Sequence, residues 1–168
     1  MTAEITTSSM NSISDITIRH ATLADAPEIH KFLIPFGERR QILVRSLDDI
    51  CLYIDNFLLA VQPDETIVGT VALRDFDSAL QEIRTLTVAP ELHGKGIGTR
   101  LVQAATTMAK QRNAQRVFTL TTRTSLFLRL NFKVVDISIF PQKVRFDCLA
   151  CPKREHCDET ALLYEPLP

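Results

Sequence analysis

A mixed α/β domain is what this chain's residue pattern predicts, on three observations. Apolar residues alternate with polar ones in some blocks and recur at three- and four-residue intervals in others. The two kinds of block follow one another along the chain instead of segregating into halves, and no block repeats another. With 168 residues, 45% of them apolar, the chain is long enough to bury one sizeable core.

Residues 1–15 are rich in Ser and Thr without an apolar period, so a disordered tail is expected there. A single domain is expected over 16–168, its C-terminal segment carrying cysteines. Ile16 and Ile18 alternate with Thr17 and Arg19 as in a half-buried strand. Thr22 then opens a helix with Asp25 in its first turn and Ile29, Phe32 and Leu33 on one face. Ser46, followed by Asp48 and Asp49, caps a second helix whose buried stripe is Leu47, Ile50, Cys51 and Ile54. A three-strand meander follows: Phe57 to Val61, a Gln62-Pro63-Asp64-Glu65 turn, Ile67 to Leu73 around Gly69, then Glu82 to Val88. Leu101, Ala105, Met108 and Ala109 mark a longer helix, and Val117, Thr119 and Thr121 alternate with Phe118 and Leu120 in another strand. A short helix over Ser125 to Leu130 leads into a last strand, Phe132 to Ile139.

Charge is balanced, with 19 Lys and Arg against 20 Asp and Glu, which gives no electrostatic reason to expect nucleic acid or an anionic membrane as partner. No apolar run nears the roughly 18–20 residues that span a bilayer. The polar N-terminal stretch lacks a signal peptide's basic start and apolar centre, so a cytoplasmic protein is the expectation. Four cysteines, Cys51, Cys148, Cys151 and Cys157, are too few and too uneven for a disulfide scaffold. Cys148-x-x-Cys151 with Cys157 and His156 supplies ligand types for zinc without the paired knuckles of a structural site. Packed thiols are the expected state, with no metal.

Of only five glycines, Gly94, Gly96 and Gly98 fall between the strand ending at Val88 and the helix of Leu101. Glycine permits positive φ and close backbone approach, while a helix N-terminus offers unpaired N–H groups and partial positive charge. Together they make an anion cradle, most often for phosphate, and Lys95 and Arg100 would add charge at its rim. The dinucleotide fingerprint fails, because Leu101 stands where its third glycine belongs. The P-loop fails as well, because Lys95 is followed by Gly96 and not by Ser or Thr. A turn that merely permits tight helix–strand packing is the competing reading.

Glu82-Ile83-Arg84-Thr85-Leu86-Thr87-Val88, the loop from Ala89 to Gly98 and the helix after it resemble the acetyl-coenzyme-A-binding motif of the GNAT superfamily of N-acetyltransferases. The resemblance implies a mixed central sheet of six to seven strands flanked by helices, and acetyl-CoA as co-substrate. It also implies a coenzyme site formed by the backbone of Leu86, Thr87 and Val88 and by the loop His93, Gly94, Lys95, Gly96, Ile97, Gly98, Thr99 and Arg100. His93 stands where the family pattern has Arg or Gln, so that side-chain contact is lost while the backbone cradle is kept. Ile18 to Asp25, Arg45-Ser46-Leu47, Leu120 to Thr124, Phe140 to Val144 and the cysteine tail from Asp147 to Glu159 narrow the resemblance. They are similar to the short bacterial amino-acid N-acetyltransferases, the N-acetylglutamate synthases that start arginine biosynthesis.

Acetyl transfer to an amine needs a deprotonated amine, a polarised thioester carbonyl and a proton for the leaving thiolate. Glu82 is the general-base candidate, acting directly or through a water; the competing reading is a charged residue on the strand's solvent face. The tyrosine that many family members use as general acid is replaced by Phe127, and Asn131 takes a position where glycine would supply a left-handed backbone. Arg45, Arg84, Arg123 and Lys143 lie in the resembling segments and are the candidates for holding a substrate's carboxylates; surface ion pairs are the alternative. The expected partners are small molecules, acetyl-CoA and glutamate or a relative such as glutamine, with a homodimer left open. Two other functions compete: acetylation of a different small amine or peptide, and a non-catalytic acetyl-CoA-binding regulatory module.

Overall fold

The computed structural model describes residues 13–43, 45–77 and 79–165. Most of the expected tail therefore lies outside the described residues, and its end, Ile13–Asp15, forms one helical turn. The elements are β1 (Thr17–His20), α1 (Ala26–Glu38), α2 (Leu47–Leu52), β2 (Phe57–Val61), β3 (Ile67–Asp75), β4 (Leu80–Val88), α3 (Ile97–Gln111), β5 (Arg116–Thr121), α4 (Thr124–Leu128), β6 (Lys133–Val134), α5 (Pro141–Phe146) and β7 (Thr160–Tyr164). One sheet of seven strands runs in the order β1-β2-β3-β4-β5-β7-β6. Among the described strands only β4 and β5 are parallel neighbours, and α3 is the crossover that a parallel pair requires.

The helix starts follow local chemistry. Thr22 and Asp25 form a reciprocal cap before α1, and the Ser46 side chain accepts the Asp49 amide at the start of α2. Both faces of the sheet are covered. The apolar stripe of α3 (Ile97, Leu101, Ala105, Met108) packs on Leu58, Ala60, Val71, Leu73 and Ile83. Ile29 and Leu33 of α1 and Ile50 of α2 pack on Leu59, Val61 and Ala72 on the other face. Strand β2 thus sends alternate residues into two cores, which is why all five of its residues are buried and apolar. A third cluster, Leu80, Phe118, Phe140 and Ala161, stacks Phe140 on Phe118 at 4.1 Å and so anchors α5 against β5.

Three expectations need correction. Phe132 to Ile139 is not one strand: β6 has two residues, because the Asp136 carboxylate accepts the Ser138 amide and turns the chain. The last strand is β7, which inserts between β5 and β6. Leu47, assigned to the buried stripe of α2, is exposed at the helix's first position, while Ile50 is fully buried. Among the described residues, no helix is long and apolar enough to cross a membrane.

At Gly69 on β3 the Leu101 side chain of α3 lies close against the sheet backbone. A methyl there would lie 3.0 Å from Leu101 Cδ1, 3.1 Å from the Thr87 carbonyl and 3.3 Å from Ala60 Cβ. Gly69→Ala is predicted to destabilise the protein by about 1–3 kcal/mol through overpacking, read as a lower urea midpoint at unchanged m value.

Candidate active site

Strands β4 and β5 begin as a parallel pair and then part. Their register holds for Leu80 with Arg116, Gln81 with Val117 and Glu82 with Phe118, and no further. The Thr119 hydroxyl donates to the Ile83 carbonyl at 2.9 Å, the last link before the gap. On its other side β4 stays paired with β3 but carries a bulge: Ala72 faces Arg84 and Thr70 faces Thr87, so Val71 alone spans Thr85 and Leu86. Thr85 takes φ 54°, and Thr70 Oγ1 supports the kink by donating to the Thr85 carbonyl at 2.9 Å. Residues 84–88 therefore have no strand opposite their β5 side.

The parting opens a cleft of ≈ 1330 Å³. Its floor is β4 from Glu82 to Val88, and one wall is the loop and N-terminus of α3. Gly94 and Gly96 have φ of 75° and 84°, conformations that side chains resist, and a Cβ on either would meet nothing within 4 Å. The Arg100 amide bonds to the Gly96 carbonyl, which leaves the amides of Ile97, Gly98 and Thr99 without intrahelical acceptors. Gly98 has room for a methyl, with its nearest contact at 3.6 Å, so no internal contact demands glycine there. A bare backbone turned to the cleft at a helix N-terminus fits a diphosphate.

Glu82 sits at the inner end of the gap and is 3% exposed. That excludes the solvent-facing reading of this residue. Its Oε1 accepts from Lys143 Nζ at 2.7 Å, while Oε2 lies 3.8 Å from Arg84 Nη1, and neither of these two atoms makes a hydrogen bond among the described residues. Lys143 also donates to Asp147 Oδ2 at 2.8 Å, and Arg74 donates to both Asp147 oxygens. Burial pushes the Glu82 carboxyl above its ordinary range, against the pull of Lys143. Burial also works against the Asp147 carboxylate, but the hydrogen bonds from Arg74 and Lys143 outweigh it, and Asp147 titrates below its ordinary range. Lys143 would be lowered by burial, and the two carboxylates it touches reverse this and raise it.

The other expected residues are distributed unevenly. Arg45 is half-buried in the cleft wall, where burial pulls its guanidinium down without removing its charge. Arg84 and Arg123 line the cleft, and the Arg123 amide bonds to Thr121 Oγ1 ahead of α4. Lys143, expected to hold substrate, is instead occupied by Glu82 and Asp147. Arg100 is not at the rim, because its guanidinium reaches the Ile16 carbonyl at 2.7 Å; nor does the exposed Lys95 line the cleft. His93 Nε2 lies 2.8 Å from the Val88 carbonyl and ties the loop back to the strand. Phe127 is buried against Phe132, ring edge to face at 5.1 Å, and Asn131 adopts φ 67°, the left-handed backbone expected of it.

Asp147 and Arg74 belong to this cluster although the residue pattern singled out neither for a role. The i, i+4 spacing of Lys143 and Asp147 is a helical ion-pair signal that could have found Asp147. Nothing in the sequence marks Arg74, which a neighbouring strand brings in from 73 residues away. Cys148, Cys151 and Cys157 all line the cleft as free thiols, and burial pushes Cys148 up. Of the described residues lining the cleft, eight are Lys or Arg and three are carboxylates.

Comparison with known proteins agrees with this geometry. The family model described as "Acetyltransferase (GNAT) family" matches residues 25–132. An uncharacterized N-acetyltransferase of Chlorobaculum tepidum, CT2212, is 35% identical over 150 residues, 89% of this chain and 96% of that one. An amino-acid acetyltransferase of Mycobacterium tuberculosis is 34% identical over 121 residues, 71% of this chain and 69% of its own. The crystal structure of Rv2747 from Mycobacterium tuberculosis in complex with CoA and NLQ superimposes with a TM-score of 0.76 at 26% identity, covering 90% of this chain and 99% of that one.

The α3 cradle can be tested by substitution at Gly96. Gly96→Ala places its methyl in open space and should cost only about 1–2 kcal/mol for the left-handed backbone. Gly96→Glu adds an anion at the helix N-terminus and is predicted to abolish the calorimetric heat of acetyl-CoA titration while the far-ultraviolet dichroism stays that of the parent.

Proposed function

The chain belongs to the acetyltransferase (GNAT) family and is an acetyl-CoA-dependent N-acetyltransferase, and from that premise we propose that it acetylates the α-amino group of an amino acid, L-glutamate foremost. The observation that carries this reading is a buried carboxylate with one oxygen free of hydrogen bonds among the described residues, set in a cleft whose charged lining is mostly cationic in a chain of net charge −1. A substrate with an ammonium and two carboxylates complements that arrangement: the ammonium needs a base, and each carboxylate needs cationic or N–H donors. The name of the Mycobacterium tuberculosis relative, amino-acid acetyltransferase, supports the same substrate class. If the product is N-acetylglutamate, the protein serves arginine biosynthesis.

In this reading the α3 cradle holds the coenzyme's diphosphate and the unpaired edge of β4 holds its arm, which directs the acetyl thioester toward Glu82. Glu82 Oε2 takes the proton of the substrate ammonium, directly or through one water. The freed amine attacks the thioester carbonyl, with β4 backbone N–H groups available to polarise it. Collapse of the tetrahedral adduct breaks the C–S bond, the nitrogen gives up its second proton to solvent, and the thiolate, which Phe127 cannot protonate, takes its proton from water. Arg45, Arg84 and Arg123 orient the substrate carboxylates.

Thiol release from acetyl-CoA with a panel of amino acids, small amines and peptides tests the assignment, and turnover confined to amines other than amino acids would overturn it. Glu82→Gln is expected to lower kcat by roughly 10²–10⁴-fold with unchanged acetyl-CoA binding. Because the base must be ionised and burial raises its pKa, kcat/KM should fall with decreasing pH at a value above the ordinary carboxylate range. Arg123→Ala should raise KM for the amino acid several-fold and leave coenzyme binding close to that of the parent; equal kinetics in both proteins would remove Arg123 from the site.

A further inference from the structure

The residue pattern assigned Lys143 to the substrate's carboxylates, and the geometry points to a different task. Lys143 is 8% exposed, and two of the three donors of its ammonium are taken, by Glu82 Oε1 at 2.7 Å and by Asp147 Oδ2 at 2.8 Å. Asp147 is held in turn by Arg74, from β3. The chain of contacts runs Arg74, Asp147, Lys143, Glu82 and ends at Glu82 Oε2, a buried oxygen with no hydrogen-bond partner among the described residues and with Arg84 Nη1 3.8 Å away, in a residue that lines the cleft. A lysine facing a single carboxylate is free to swing toward an incoming anion. One clamped between two is not.

We propose that Lys143 is a positioning residue of the transfer: it fixes the Glu82 carboxylate through Oε1 so that Oε2 alone faces the substrate amine, and the Arg74–Asp147 pair keeps Lys143 in that place. This rests on Glu82 being the base. Carboxylates with a freely rotating head present either oxygen in any orientation, and a proton acceptor works only within hydrogen-bond reach of the proton. Lys143 supplies the restraint from α5, which Phe140 anchors beneath β5.

Among the described residues, five charged groups surround Glu82: Lys143 on α5, Asp147 just after it, Arg74 on β3, Arg84 on β4 and Arg45 before α2. Lys143 lowers the Glu82 pKa and Asp147 raises it, which gives two substitutions of opposite sign. Removing the lysine's charge should move the acid limb of the kcat/KM profile to higher pH; removing the carboxylate's charge should move it to lower pH.

The experiment is steady-state kinetics against pH for Lys143→Gln, Lys143→Arg, Asp147→Asn and Glu82→Gln, with glutamate and acetyl-CoA as substrates and circular dichroism as the check on folding. Lys143→Gln is expected to lower kcat about tenfold or more, with KM for glutamate within about twofold of the parent, and to shift the acid limb upward. Lys143→Arg should recover most of kcat and the parent's limb. Asp147→Asn should lower kcat at unchanged glutamate KM, since Lys143 loses one of its two anchors, and shift the limb downward while the lysine still meets Glu82; this fall in kcat carries the test if Lys143→Gln does not fold. A rise in glutamate KM at unchanged kcat in Lys143→Gln would return the residue to the substrate site and overturn the proposal, as would an acid limb that neither substitution moves. Parent-like turnover in Glu82→Gln would instead overturn the base assignment itself, whatever the Lys143 variants do.

Discussion

The parting of β4 from β5 after Glu82 and Phe118 is the constraint on which the rest of the structure depends. A central strand with one edge unpaired leaves backbone donors and acceptors that need a partner, and inside a protein such groups are costly unless something meets them. Here the gap opens onto a cleft and not into the core, so the unpaired edge is available to a ligand. The bulge at Thr85 and Leu86 keeps β4 attached to β3 while bending it, and the Thr70 hydroxyl holds the bend from a fully buried position. Parallel pairing brings α3 along as the crossover, which sets a helix N-terminus at the mouth of the same gap.

Buried charge follows from that architecture. Glu82 is the last residue of β4 that pairs with β5, so it is inside the protein and at the edge of the cleft at once. A lone carboxylate so placed would be neutral; paired with Lys143 it is held in competition between desolvation and Coulomb attraction. Replacing one partner of such a cluster leaves the other uncompensated, so the set is coupled, and the individual pairs do not add. Among the described residues that line the cleft the cations exceed the anions, which favours anionic ligands there.

Local chemistry made much of the fold legible. Ser46 caps α2, the Gln62–Glu65 turn closes β2 onto β3, and the stripe from Leu101 to Ala109 faces the sheet, as periodicity and capping residues imply. The glycine cluster before α3 was legible for the same reason: positive φ at Gly94 and Gly96 is a property of the residues themselves. Phe132 to Ile139 misled, because its apolar alternation continues across Asp136, whose side chain closes a turn that alternation cannot reveal. Side-chain destinations were the least legible. Arg100 and Lys143 carry charge suited to a site, and each was claimed by a nearer partner, the Ile16 carbonyl in one case and two carboxylates in the other.

By itself the chain's residue order determined the alternation of strands and helices, the glycine loop and the residue types available for acetyl transfer, since these depend on neighbours within a turn or two. Tertiary structure alone decided that β7 enters between β5 and β6, that the sheet opens after Glu82, and that Arg74, Glu82, Lys143 and Asp147 converge. Those are contacts between segments tens of residues apart. They depend on which surfaces the packed layers bring together, and periodicity carries no record of that.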